Sequence, residues 1–222
     1  MIEKYKEINA YIQKVEDSEK IIDKESEAFE KKGKWNNYFG NTNDIIVEIG
    51  TGLGNFFSGE VSKNNDKNFI GFEIRYKRLF VTAEKTLEKG GVNFVLIKSM
   101  AQNIDKIFEK NEVSLTYIFF PDPWDKKDRQ RKHRLWTLEF ISNLYDITKS
   151  GGSVIFKTDH KGYFDDTLEL INKFSKWNIE KLSYDYEVEI ENFDKKNLTE
   201  FESIFREHKM KINYLELKKL KT

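Results

Sequence analysis

No cysteine occurs in the 222 residues, so disulfides, thiolate metal sites and cysteine nucleophiles are excluded. Three histidines leave little material for a histidine-rich metal centre, and no metal is expected. No apolar run approaches the ~20 residues of a membrane span, and the polar N-terminus lacks the apolar core of a signal peptide. A soluble, cytoplasmic protein with no membrane partner is the plain expectation. Neither charge sign is in excess: Lys plus Arg and Asp plus Glu are 38 each. Any basic footprint for a nucleic acid must therefore be local. Proline is nearly absent as well, and both prolines fall in the single segment Phe120-Pro121-Asp122-Pro123-Trp124.

Each proline fixes its own φ and restricts the residue before it, so this segment is pinned into one shape. It presents an acid, Asp122, between two rigid rings and beside an aromatic, Trp124. A rigid turn closing a strand is the plainer reading. The preceding run Leu115-Thr116-Tyr117-Ile118-Phe119 has a buried-strand pattern, which puts Asp122 at the carboxyl end of a strand. Ligands bind at that edge in open α/β sheets.

Around it the chain alternates periods. Residues 3–34 carry Ile8, Ile12, Val15, Ile22 and Phe29 at loose helical spacing, which predicts one or two amphipathic helices as an N-terminal extension, 1–34. Strands are predicted over 45–49, 68–72, 92–97, 114–119 and 153–157, near 179–187, and over 211–217. Helices are predicted over 76–88, 135–149, 162–174 and 199–207, with a further one after the turn at 50–54. Strands alternating with helices predict an α/β domain, 35–222, with a mostly parallel sheet.

The turn Glu48-Ile49-Gly50-Thr51-Gly52-Leu53-Gly54 joins a strand-end acid to three alternating glycines. Glycine there admits positive φ and close approach to a ligand, and the helix beyond offers free N–H groups. The spacing G-x-G-x-G, rather than G-x-G-x-x-G, tilts away from a pyrophosphate. Glu73, ending the second strand, is placed to accept from both hydroxyls of a ribose, a geometry that also serves NAD; a solvated strand-end acid paired with Arg75 or Arg78 is the plainer alternative. After Trp124, Lys126-Lys127-Asp128-Arg129-Gln130-Arg131-Lys132-His133-Arg134 sets six Lys and Arg against one acid. This is the local basic footprint expected of a phosphate-contacting surface.

The segments Val47–Gly54, Gly71-Phe72-Glu73-Ile74-Arg75, Phe120–Lys127, Phe156-Lys157-Thr158-Asp159 and Thr199-Glu200-Phe201-Glu202 resemble, in order and spacing, the bacterial tRNA (guanine-N7-)-methyltransferase family. The resemblance implies a class I, Rossmann-like methyltransferase fold with a seven-stranded sheet and helices on both faces. It also implies transfer of a methyl group from S-adenosylmethionine to N7 of a guanosine in the tRNA variable loop. Glu48, Gly50, Gly52, Gly54, Glu73, Met100, Ala101 and Asp122 are then the cofactor residues. Asp122 and Asp159 are the candidate catalytic pair. Lys126, Asp159, Thr199, Glu200, Phe201 and Glu202 contact the guanosine, and Lys127, Asp128, Arg129, Gln130, Arg131, Lys132, His133 and Arg134 contact RNA. The family usually has Asp-Ala or Asn-Ala where this chain has Met100-Ala101. Methionine cannot accept from the adenine amino group, so the Ala101 backbone, Gln102 or Asn103 must supply that polarity.

Plainer readings stand beside these roles. Asp159 has the position of an N-cap for the helix near Lys161, and Thr199 with Glu202 has the spacing of a capping box. Two other functions stay open. One is methylation of an exocyclic amino group, whose enzymes use an Asp/Asn-Pro-Pro-aromatic loop where this chain has Pro-Asp-Pro-Trp. The other is a non-catalytic RNA-binding module, for which Met100 is the hint. Monomer and homodimer fit the sequence equally.

Overall fold

The computed structural model describes residues 10–189 and 197–221, without the side chains of Asp128 and Glu189. The elements are α1 (Tyr11–Glu16), β1 (Ile21–Ile22), α2 (Glu25–Phe29), α3 (Trp35–Phe39), β2 (Ile45–Ile49), α4 (Asn55–Lys63), β3 (Asn68–Phe72), α5 (Tyr76–Glu88), β4 (Phe94–Ile97), α6 (Ile104–Ile107), β5 (Val113–Phe119), α7 (Leu138–Ile147), β6 (Thr148–Thr158), α8 (Lys161–Phe174), β7 (Asn178–Ser183), α9 (Tyr186–Glu189), α10 (Glu200–Glu207) and β8 (Asn213–Lys218). The sheet runs β1-β4-β3-β2-β5-β6-β8-β7. It is parallel from β1 to β6, and β8 lies antiparallel between β6 and β7. After β2 the chain fills one side of the sheet with β3 and β4, then crosses to fill the other with β5 and β6. The carboxyl ends of β2 and β5 therefore flank a topological switch point, where an open α/β sheet leaves a crevice.

Both faces are covered, which is why β2, β3 and β4 are buried along their whole length. Val47, Ile49, Ile70 and Phe72 pack with Ile141, Phe156 and Phe164 into one core. Ile46, Phe69 and Phe94 turn the other way, onto Phe57, Leu79 and Val15.

The mostly parallel sheet with helices on both faces is the observed architecture, with eight strands among the described residues rather than the seven expected. The additional strand is β1. Residues 21–22 were expected to be helical, but Ile21 and Ile22 pair in parallel with Leu96 and Ile97. Two β-branched side chains there cover the otherwise open edge of β4. Ile8 lies outside the described residues. The predicted strand near 179–187 ends at Ser183, whose Oγ accepts from Asp185 N at 2.9 Å and turns the chain into α9. The helix predicted from 135 starts at Leu138, because Thr137 caps it by accepting from Phe140 N at 3.1 Å.

Candidate active site

β2 delivers Glu48 to the switch point, and the chain then turns through Gly50, Gly52 and Gly54 at φ +81°, +58° and +73°. That left-handed region strains any residue with a β-carbon. At Gly54 a β-carbon would also come within 2.6 Å of Thr82, whereas at Gly50 and Gly52 it would meet nothing within 4 Å among the described residues. The turn's backbone thus borders open space. Glu48 is buried, yet its Oε2 has no hydrogen-bond partner among the described residues, and neither has Thr51 Oγ1. Burial, and secondarily the charge of Glu60, pushes the Glu48 carboxyl well above the usual carboxylate range.

A cavity of about 580 Å³ opens beside this turn, lined by Gly50, Glu73, Met100, Gln102, Asp122 and Trp124 among others. Glu73 Oε1 accepts from the backbone N–H of Ile74 and Arg75 at 2.8 and 3.0 Å, and Oε2 stands 3.8 Å from Arg78 Nη1. The ion pair expected as the plainer reading is present with Arg78, and Glu73 still lines the cavity. Met100 is exposed, and Ala101 is buried behind it. Of the residues expected to supply polarity, Asn103 is drawn off, donating to Glu25 Oε1 at 3.0 Å and accepting from Lys106 Nζ at 3.0 Å. Gln102 remains at the cavity wall. Ser99 also donates to Glu25 Oε1, at 2.7 Å, so the N-terminal segment braces the loop carrying Met100. Sequence reasoning gave no sign of Glu25.

β5 and β6 pair Phe119 with Lys157, so Asp122 and Asp159 emerge from neighbouring strand ends. Neither carboxylate makes a hydrogen bond or ion pair among the described residues, while the acids around them are engaged. Asp125 meets His160 Nε2 at 2.5 Å, and that hydrogen bond holds its carboxyl below the usual range. Asp159 does not cap α8. His160 does, its Nδ1 accepting from Tyr163 N at 2.9 Å. In the basic run, Lys126, Lys127, Arg129, Arg131, Lys132 and His133 are exposed. Gln130, Lys132 and His133 reach the cavity wall. Arg134 is buried instead, and the Asp128 side chain lies outside the described residues.

Thr199 caps α10, accepting from Glu202 N at 3.0 Å, so half of the capping box forms. The Glu202 carboxylate does not complete it. Fully buried, it takes Lys157 Nζ at 3.1 and 3.2 Å and Arg206 Nη2 at 2.8 Å. Glu200 and Phe201 line a smaller cavity of about 30 Å³ that ends on Glu48 and the glycine turn. Phe120 stands at the same cavity, its ring 6.4 Å from that of Phe201 and 5.3 Å from that of Phe205.

Residues 42–215 match the family described as "Putative methyltransferase". A tRNA (guanine-N(7)-)-methyltransferase of Bacillus subtilis is 37% identical over 175 residues, covering 78% of this chain and 80% of that protein. This chain belongs to the tRNA (guanine-N7-)-methyltransferase family. A bifunctional glycosyltransferase/methyltransferase of Fusobacterium nucleatum is 36% identical over 96% of this chain, which spans 33% of that relative's length. Among solved structures, the 16S rRNA methyltransferase KamB superposes with a TM-score of 0.60 at 12% identity, over 85% of this chain and 93% of the other, and shows the shared class I methyltransferase fold.

Methyltransferases of this family use S-adenosylmethionine, and the residues present fit it. Glu48 Oε2 and Thr51 Oγ1 are buried polar atoms lacking partners among the described residues, beside a backbone turn open to a ligand. Glu73 lines a cavity of ordinary cofactor size, roughly 300–1,000 Å³. For Glu48 the sign of the pH effect follows from linkage. A folded pKa above the unfolded value favours folding at low pH. That stability is lost as pH climbs from 4.5 through the raised value. The thermal midpoint of the unliganded protein should therefore decline as pH rises above about 4.5, and Glu48→Gln should remove that part of the slope. An unchanged slope in the variant would place Glu48 in contact with solvent or a hidden partner.

Proposed function

We propose that this protein transfers a methyl group from S-adenosylmethionine to N7 of a guanosine in the variable loop of tRNA, giving 7-methylguanosine. The supporting observation is Asp122, which lines the cavity past the end of β5, with Asp159 just past the neighbouring end of β6, neither carboxylate having a partner among the described residues. S-adenosylmethionine supplies an electrophilic sulfonium methyl. Guanine N7 offers an exposed lone pair and loses no proton on methylation, so the chain has no base catalysis to perform. Its work is to place N7 in line with the methyl group and to screen the positive charge that arrives on the purine. Asp122, lining the cavity, holds the cofactor side. Asp159 and Lys126 face the guanosine, whose N1–H and N2 donors match a carboxylate acceptor. Glu200 and Phe201 close the small cavity next to the glycine turn.

In this reading residues 1–34 form the extension and 35–222 the catalytic domain. The protein acts on tRNA in the cytoplasm as a monomer or homodimer. No described helix is long and apolar enough to cross a membrane, and no described cluster of three His, Asp or Glu is arranged for a metal. The deciding experiment is mapping of the methyl group on the nucleosides of a digested tRNA product. 7-Methylguanosine supports the reading, whereas a methylated exocyclic amine refutes it.

The exposed basic run should govern tRNA affinity through phosphate contacts. Neutralising Lys127, Arg129 and Arg131 should flatten the log–log salt dependence of tRNA binding by up to roughly 0.9 per lost contact. Cofactor affinity should be untouched. A salt slope equal to wild type would leave the run as a solvated loop.

A further inference from the structure

Arg134 belongs to the basic run in sequence but not in space. It is 8% exposed, whereas the other Lys and Arg residues of the run are exposed. Its Nε donates to Pro123 O at 2.6 Å and its Nη1 to Asp166 Oδ2 at 2.6 Å, with the guanidinium 4.7 Å over the Tyr163 ring. One planar fork thus joins the Pro-Asp-Pro-Trp loop to α8, a geometry that lysine cannot reproduce. A second tie lies just past Trp124. His160 Nδ1 accepts from Tyr163 N, which puts the ring proton on Nε2 and makes His160 a donor to Asp125.

The loop between these ties has an unusual backbone. Phe120 and Trp124 sit at φ +50° and +44°, values that aromatic residues seldom adopt unless their surroundings impose them. Asp122 has no side-chain partner among the described residues. Its direction is therefore set by the backbone on either side of it. Small misplacements of a group beside reacting atoms are costly in rate.

We propose that Arg134, Asp166 and His160 are positioning residues, which dock the Pro121–Asp125 backbone on α8 and so aim the Asp122 carboxylate into the cavity. Arg134 is then a loop anchor and not a phosphate ligand. The proposal rests on the methyl-transfer reading, and its test separates the two.

The full chain carrying Arg134→Lys, Asp166→Ala, Asp166→Asn or His160→Ala is assayed for methylation, cofactor affinity by calorimetry, and tryptic cleavage within the basic run. Arg134→Lys and Asp166→Ala should lower kcat about tenfold or more, with the KM for tRNA within about twofold of wild type and cofactor affinity reduced no further than in Asp122→Ala. Asp166→Asn keeps an acceptor for Nη1 and should recover most of the rate. His160→Ala should show a smaller loss in kcat. Cleavage after Lys126, Lys127 or Arg129 should speed up in Asp166→Ala and not in Asp166→Asn. A raised KM with unchanged kcat in Arg134→Lys would make Arg134 a phosphate ligand and overturn the proposal. So would wild-type kcat per folded molecule alongside a lowered thermal midpoint, or unchanged tryptic rates. Failure of the wild-type protein to methylate tRNA refutes the methyl-transfer reading, and the tryptic comparison still decides whether Asp166 docks the loop.

Discussion

Asp122→Ala should cut the methylation rate by roughly 100-fold or more, the cost of losing one preorganised electrostatic group in an active site. Stability should scarcely change. Asp122 is exposed and makes no hydrogen bond or ion pair among the described residues, so its removal strands no buried partner. The thermal midpoint should stay within a few degrees of wild type, and near-wild-type turnover in the variant would return Pro-Asp-Pro to a structural turn. The pH profile gives a second reading of the same site. Methylation at N7 removes no proton, so kcat should need no deprotonated group titrating near neutrality. An essential base appearing between about pH 6 and pH 8 would point to an amino-group acceptor.

What the sequence made legible was whatever depends on neighbours in the chain. Helix α5, expected over 76–88, occupies Tyr76–Glu88, because its apolar side chains recur at helical spacing. The glycine turn was readable because positive φ leaves few residue choices. The parts that stayed hidden depend on distant partners. β1 has two residues and no alternation of its own, and is a strand only because β4 offers an edge. Nothing in the charge of Arg134 separates it from Arg129 or Arg131, since its burial comes from Asp166, 32 residues away. His160 replaces Asp159 as the cap of α8, although both residue positions suit the helix start and aspartate is the commoner cap. Glu25 was invisible for the same reason, its partner Ser99 being 74 residues distant.

Glu202 shows how one residue can match a family motif and also serve the fold. The resemblance places it against the guanosine, yet its carboxylate is buried between Lys157 and Arg206. Lys157 is itself buried, with Nζ 4.3 Å over the Tyr186 ring and 4.9 Å over that of Phe119. Removing one member of such a pair leaves an uncompensated charge in a poorly solvated place, which costs about 3–5 kcal/mol. For a chain of this length Glu202→Ala should therefore lower the thermal midpoint by roughly 6–20 °C. Replacing Lys157 and Glu202 together with apolar residues, Lys157→Met with Glu202→Leu, removes the stranded ammonium and leaves Arg206 its ion pair with Glu187, and should recover much of that loss, because a buried pair contributes little net stability over well-packed apolar side chains. The double variant then isolates any part that Glu202 plays in the reaction. If the refolded double variant retains cofactor affinity but loses tRNA methylation, the carboxylate also faces the guanosine during turnover. If it methylates tRNA at the wild-type rate, Glu202 serves only to tie α10 to β6. A single Glu202→Ala variant with an unchanged midpoint would contradict the buried pair itself.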